Sequence, residues 1–233
     1  VRVAAVLTAA GSGSRLGHEL PKALVDLGGA TVVVRAARGL LASGVVDLLV
    51  VTVPAEHQGA FAAALTAGEL EPDVPVTLVV GGASRQASVA AGLRELPADV
   101  DVVLVHDAAR CLTPPAMVAR VVAAVRAGHR AVVPTVAVTD TLVEVGPDGV
   151  RTVDRTTLRA VQTPQGFDRA LLDRAHRAAA DRAHDERQAA TDDASLCAAL
   201  GEPVATVDGA DEAFKITTAR DLAVARTLVK EDA

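Results

Sequence analysis

Short continuous apolar runs, returning at intervals, constrain this chain more than any other feature. Val3–Leu7, Val45–Val53, Pro75–Val80, Val102–Val105 and Ala131–Val136 each have the length and composition of a buried strand. Helical stretches separate them. Thr31–Ala42 has Thr31 as N-cap and Gly44 as stop, and Glu56–Ala67 follows the second strand. Ser84–Leu96 is capped by Ser84 with Pro97 beyond its end, and Pro114–Ala127 carries proline in its first turn. Strands with no polar alternation are covered on both faces, so this rhythm predicts an open, mostly parallel α/β sheet with helices on both sides. Ligands of such sheets sit beyond the carboxyl ends of the strands. Three segments then gather at one edge: the loop Thr8–Gly17, the Gly81-Gly82 turn with Arg85, and Asp107–Arg110.

Near residue 138 the rhythm breaks. Thr139–Val145, the turn Gly146-Pro147-Asp148-Gly149, and Val150–Asp154 read as a β-hairpin, with the whole arm covering about 138–160. A hairpin with no place in the parallel sheet projects. It is either a surface flap or an edge that pairs with a second copy of the chain. Thr163–Phe167 reads as a compact loop, Asp168–Ala183 and Ala190–Leu200 as helices, the latter capped by Thr191 or Asp192. Val204–Val207 is a short strand, and Thr218–Val229 a final helix. No internal repeat or low-complexity linker divides the 233 residues, which are expected to form a single domain over 1–233.

Composition narrows the function. Aromatics are limited to three Phe, so Val, Leu and Ala fill the core, and the stacking platforms of single-stranded nucleic-acid binders are missing. The formal charge is −6, so phosphate chemistry must come from a local cluster of cations rather than from an overall positive field. Cys111 and Cys197 offer neither a disulfide framework nor zinc spacing and are expected to be reduced cytosolic thiols. No run is long enough to span a bilayer, and residues 1–8 lack the layout of a signal peptide, so a cytoplasmic protein that partners neither membrane nor nucleic acid is expected.

The loop after the first strand carries the clearest chemistry. Gly11 and Gly13 let the backbone approach an anion, and Arg15 and Lys22 add charge that amides cannot supply. Gly11, Gly13 and Gly17 miss the dinucleotide spacing, and no G-K-[ST] follows, so this is neither a dinucleotide loop nor an ordinary triphosphatase loop. The bland alternative is a tight turn bearing a surface arginine. Asp107, directly after a buried strand, suits Mg²⁺ or a helix cap. Arg110 suits a phosphate or a pair with Asp107. His106 is taken as a strand-end packing residue, Lys215 as snorkelling or functional, Arg155 as solvated by base rate. His18, His57, His129, His176 and His184 show no metal spacing and are taken as surface residues. Cys111 has no evident activating base.

AAGSGSRLG with PK, GGASRQASV, HDAAR, the pair Asp140-Thr141, TVDR, TPQGF, TDDAS and FKIT occur in that order across essentially the whole chain. This set resembles the 2-C-methyl-D-erythritol 4-phosphate cytidylyltransferases of the non-mevalonate isoprenoid pathway. The resemblance implies a Rossmann-like fold of the nucleotide-diphospho-sugar transferase kind, a projecting β-arm, and a homodimer with interlocked arms. It implies transfer of CMP from CTP to methylerythritol phosphate with Mg²⁺. Arg15 and Lys22 would stabilise charge on the α-phosphate, and Ala9, Ala10, Gly11, Ser12 and Gly13 would contact CTP. Gly82 and Ser88, with Arg85 between them, would help recognise cytosine, and Asp107 would bind ribose or metal. Arg155 and Lys215 would position the methylerythritol phosphate, with Arg155 and Thr163 supplied by the partner's arm region. Arg110, Asp140, Thr141 and Thr191 are further substrate-site candidates. The chain departs from the pattern at Cys111, where many relatives carry proline, and at GGASR, which lacks an acidic residue after the glycines. Two other readings stand beside this one: a cytidylyltransferase for another polyol phosphate such as ribitol 5-phosphate, and a catalytically silent nucleotide-binding regulatory protein.

Overall fold

Parallel pairing of the first apolar runs builds the centre of the structure, a computed structural model that describes residues 1–11, 21–71, 73–147, 149–185 and 188–231. β1 (Arg2–Thr8) lies between β2 (Leu48–Val53) and β4 (Val100–Asp107), and β3 (Val76–Val80) extends the sheet beyond β2. α1 (Val32–Leu41), α2 (Gln58–Ala67), α3 (Arg85–Arg94) and α4 (Pro115–Arg126) provide the crossovers. β5 (Ala131–Ala137) and β10 (Ala205–Asp208) complete the other side as a parallel pair. α5 (Arg169–Ala178), α6 (Asp193–Ala198) and α7 (Ala219–Glu231) follow in the C-terminal third.

Strand geometry explains why the apolar runs are continuous. Successive side chains point to opposite faces. Val3, Ala5 and Leu7 enter one core with α1, α4 and α7, while Ala4 and Val6 enter a second core with α3, α5 and α6. β4 divides in the same way: Val102 and Leu104 face the first core, Val103 and Val105 the second. Continuing that alternation, Asp107 emerges on the side of α3 and α6, which decides its partners.

Several boundaries differ from expectation. The segment expected as the loop Thr163–Phe167 contains a strand, β9 (Gln165–Asp168), inserted antiparallel between β4 and β5. With β8 (Arg159–Val161), antiparallel to β5, it makes the sheet mixed. Proline and glycine punctuate turns in isolation. Here two waiting sheet edges supply hydrogen bonds on both sides, and the Thr163–Pro164 peptide bond is cis. Asp168 caps α5 by accepting from the Leu171 amide at 2.8 Å, and α5 stops at Ala178 before a single 3-10 turn at Ala180–Arg182. α6 is shorter than the expected Ala190–Leu200, and its cap is Asp192, not Thr191. Thr31 occupies the cap position of α1 without using its hydroxyl, whereas Ser84 caps α3 through the Ala87 amide at 3.0 Å. Gly44 ends α1 as expected, at φ +67°.

The hairpin is present. β6 (Leu142–Gly146) and β7 (Gly149–Val153) pair only with each other among the described residues, and Val143, Val145 and Val150 are exposed on it.

Gly166 on β9 sits under α4. A Cβ there would meet Val121 Cγ1 at 2.5 Å and Val125 Cγ2 at 3.0 Å. Gly166→Ala should therefore cost about 1–3 kcal/mol through overpacking. A thermal melt should show this as a Tm lowered by several degrees, and an unchanged Tm would refute the packing argument.

Candidate active site

The carboxyl ends of β1, β2 and β4 lie in register: Thr8 is paired with both Thr52 and Asp107. The loops that leave β1, β3 and β4 line a cavity of about 740 Å³, within the usual range for a small-molecule site. Ala9, Ala10 and Gly11 form one wall, and Gly82, Arg85 and Ser88 another. Asp107, Lys22, Lys215 and Thr191 complete the set of expected residues that reach it. Ser12, Gly13 and Arg15 lie outside the described residues. Gly81 and Gly82 are glycines for a physical reason. A Cβ on Gly81 would meet Ala10 Cβ at 2.5 Å and Ser88 Oγ at 2.8 Å, so the second glycine turn packs directly on the first loop. Ser88 Oγ accepts from the Gly82 amide at 3.1 Å and fixes that turn on α3.

Asp107 is the electrostatic centre. Arg85 Nε donates to its Oδ1 at 2.9 Å and Lys215 Nζ to its Oδ2 at 2.8 Å. The Thr8 hydroxyl lies 3.3 Å from Oδ1. Burial works against ionisation of Asp107, but Arg85 and Lys215 overcome it and hold the carboxyl far below the usual carboxylate range. The helix-cap alternative for Asp107 is thereby set aside. Arg85 begins α3, where the helix N-terminus repels a cation. Burial also disfavours its charge, and Asp193 and Asp107 together outweigh both effects, raising its pKa.

Lys215 is delivered by a docked loop. Gln162 exchanges two hydrogen bonds with the Ala210 backbone, Nε2 to the carbonyl at 2.8 Å and the amide to Oε1 at 3.0 Å. Arg110 donates to the Ala213 carbonyl at 2.8 Å and to that of Val161 at 3.3 Å. The Ile216 amide bonds the Ala109 carbonyl at 2.8 Å, and Lys22 Nζ donates to the Ile216 carbonyl at 2.5 Å. Arg110 thus braces the loop rather than pairing with Asp107, and it does not line the cavity.

Thr163 also departs from expectation. It is buried in its own chain, where its Oγ1 accepts from the Asp107 amide at 3.1 Å and contacts His106 Nδ1 at 2.8 Å. It therefore shapes the end of β4 from within one chain instead of arriving from a partner's arm. Asp140, Thr141 and Arg155 are exposed around the arm and do not line this cavity.

Three contributors were not assigned from sequence. His176, taken as a surface residue, is buried, with Nε2 2.9 Å from Asp193 Oδ1. Asp193 lies in the quoted TDDAS motif, and its other oxygen accepts from Arg85 Nη1 at 2.7 Å. Gln165 Oε1 accepts the amides of Asp193 and Ala194. Two acidic residues side by side in TDDAS were the available signal, but one is a cap and only the fold tells them apart. Cys111 and Cys197 are buried, which pushes both thiols up to about 12 and leaves no reactive thiolate. No helix among the described residues is long and apolar enough to cross a membrane.

Cations gathered around one carboxylate where strands end, in an acidic chain, are an arrangement suited to a protein of the phosphate-handling class. Comparison with known proteins narrows that class. Residues 3–231 match the family described as 2-C-methyl-D-erythritol 4-phosphate cytidylyltransferase. A protein of that name from Rhodococcus jostii (strain RHA1) is 52% identical over 233 residues, covering 99% of this chain and 96% of the relative. One from Nocardia farcinica (strain IFM 10152) is 52% identical over 229 residues, covering 97% and 94%. The crystal structure of 2-C-methyl-D-erythritol 4-phosphate cytidylyltransferase from Thermus thermophilus superposes with a TM-score of 0.76 at 36% identity, over 99% of this chain and 100% of that one. The chain belongs to the 2-C-methyl-D-erythritol 4-phosphate cytidylyltransferase family.

His106 gives the site a pH signature. Burial pushes its imidazole down to about 4 from an ordinary 6.5, against the pull of Asp107. Between those values the unfolded chain binds the proton and the folded one does not, so stability rises with pH across that window. The full difference is roughly 3 kcal/mol. Asp107 acts lower: its contribution is present above its ordinary 3.8 and is lost only as pH falls further. Urea unfolding should give a lower midpoint at pH 5 than at pH 7, and His106→Asn should flatten that difference. An equally steep dependence in the variant would count against it.

Proposed function

We propose that this protein transfers CMP from CTP to 2-C-methyl-D-erythritol 4-phosphate, giving 4-diphosphocytidyl-2-C-methyl-D-erythritol and pyrophosphate for isoprenoid precursor synthesis. The observation that carries the reading is the gathering of Lys22 and the Lys215–Asp107 ion pair, 2.8 Å long, on the lining of one cavity with Gly11 and Gly82. A phosphate oxygen of the polyol phosphate attacks the α-phosphorus of CTP. The new P–O bond forms as the bond to the β-phosphate oxygen breaks, and pyrophosphate leaves. The nucleophile is already an anion, so no general base is required, and the obstacle is bringing two polyanions together. Lys22, with Arg15, stabilises charge on the α-phosphate. The backbone of Ala9, Ala10 and Gly11, with Ser12 and Gly13, cradles the triphosphate. Gly82 and Ser88 face the base, and Asp107 takes the ribose or the metal. Lys215 holds the polyol phosphate, joined by Arg155 and by Asp140 and Thr141 at the arm. Thr191 is a further contact, while Arg110 and Thr163 serve by bracing Lys215 and Asp107.

Mg²⁺ fits this donor set in one way. Among the described residues no group of three or more His, Cys, Asp or Glu side chains converges to hold a metal. Mg²⁺ is commonly held by one carboxylate together with substrate phosphates and water. A carboxylate offers about four lone-pair directions, so Asp107 retains capacity beside Arg85 and Lys215. When bound, Mg²⁺ would neutralise phosphate charge.

The exposed valines of the β6–β7 hairpin support a homodimer formed through the arms, with Arg155 of one chain serving the other's site. We take each chain as one catalytic domain over 1–233, working in the cytoplasm.

Purified protein given CTP, methylerythritol phosphate and Mg²⁺ should release pyrophosphate, and with ribitol 5-phosphate release should be far slower. Equal or faster turnover of ribitol 5-phosphate would reassign the substrate. No release from either would leave only a silent nucleotide-binding protein. Lys22→Ala should lower kcat by about 10²–10³-fold with the fold intact by circular dichroism. For the arm, inactive Arg155→Ala mixed with inactive Lys22→Ala should regain activity once subunits exchange. No recovery with exchange confirmed would refute shared sites.

A further inference from the structure

We propose that Asp193 is a positioning residue: it holds Arg85 so that Asp107 stays shared with Lys215 in the reactive geometry. This rests on the reading that Lys215 contacts substrate.

A continuous chain of charged contacts runs behind the cavity. His176 Nε2 meets Asp193 Oδ1 at 2.9 Å, and Asp193 Oδ2 accepts from Arg85 Nη1 at 2.7 Å. Arg85 Nε reaches Asp107 Oδ1 at 2.9 Å, and Asp107 Oδ2 accepts from Lys215 at 2.8 Å. Asp193 is only 1% exposed and does not line the cavity, so it cannot touch substrate directly. Its position is overdetermined: Gln165 holds its amide, and His176 holds the oxygen that Arg85 does not use.

The guanidinium is planar and presents its donors in a fixed fork. With Nη1 held by Asp193, the guanidinium meets Asp107 through Nε alone, to Oδ1, and its Nη2 is buried without a hydrogen-bond partner, a second donor that only the orientation imposed by Asp193 keeps from Asp107. Remove the negative charge at 193, and Asp107 is the one remaining carboxylate paired with Arg85 among the described residues. Arg85 can then turn to a two-pronged grip that competes with Lys215 for Oδ2. Lys215, whose side chain is 42% exposed, is the group free to be displaced. Asp193 thereby divides the positive charge of Arg85 between two carboxylates and leaves Lys215 anchored at the cavity.

The test is a two-residue cycle on the full-length protein, with pyrophosphate release as the assay. Asp193→Asn should lower kcat at least tenfold and raise the KM for methylerythritol phosphate more than the KM for CTP, because Lys215, the displaced group, holds the polyol phosphate. If Asp193 acts through Arg85, adding Asp193→Asn to Arg85→Gln should change kcat by less than twofold. The double variant buries no unpaired charge at this pair, so it keeps the question open to measurement even where Asp193→Asn alone does not fold. A further tenfold loss on adding Asp193→Asn to Arg85→Gln would overturn the proposal, as would a folded Asp193→Asn with wild-type kcat. Lys215→Ala separates the two levels of argument. If it retains wild-type turnover, the reading of the site fails as well. If it is inactive while Asp193→Asn is unaffected, only the positioning role fails.

Discussion

One carboxylate between two cations organises this protein. Asp107 lies where three parallel strands end, and its two oxygens receive Arg85 from α3 and Lys215 from the C-terminal segment. A buried Asp is costly without such partners, and a cation at a helix N-terminus is costly without a carboxylate. Each cost is met by the other group. Neither half is stable alone in this geometry, so elements far apart in sequence are tied to one point. The same arrangement gathers cations at one edge of a chain of net charge −6, because Arg85 and Lys215 are local and their positions are imposed by acidic neighbours.

The remainder of the site depends on how the C-terminal third is fastened to that point. The antiparallel insertion of β9 places Gln165 against the start of α6 and so fixes Asp193. The residues just before β9 do two further jobs. Gln162 clasps the backbone at Ala210, and Thr163 binds the end of β4. A four-residue run, QTPQ, therefore connects the loop bearing Lys215, the strand bearing Asp107 and the helix bearing Asp193. It does so through side-chain amides and a hydroxyl, which satisfy buried backbone groups without adding charge to an already charged region.

Much of this was legible in the chain. Continuous apolar runs between helical stretches specify a mostly parallel sheet with two covered faces, because a strand buried on both sides has no polar alternation to show. The carboxyl-edge rule then places Ala9–Gly11, Gly82, Arg85 and Asp107 together, and they do line one cavity. The hairpin was readable from its turn and its lack of a partner. Tertiary structure decided what depends on contacts between distant residues. TPQGF reads locally as a loop, yet it becomes a strand because two sheet edges complete its hydrogen bonds. His176 reads as a surface residue, yet it is buried beside Asp193. Asp192 and Asp193 are adjacent and chemically alike, but one points back to its own helix and the other to Arg85, 108 residues away. Local sequence sets the period of burial. Only the closed fold sets which charge meets which, since an ion pair is defined by distance in space and carries no periodic signal along the chain.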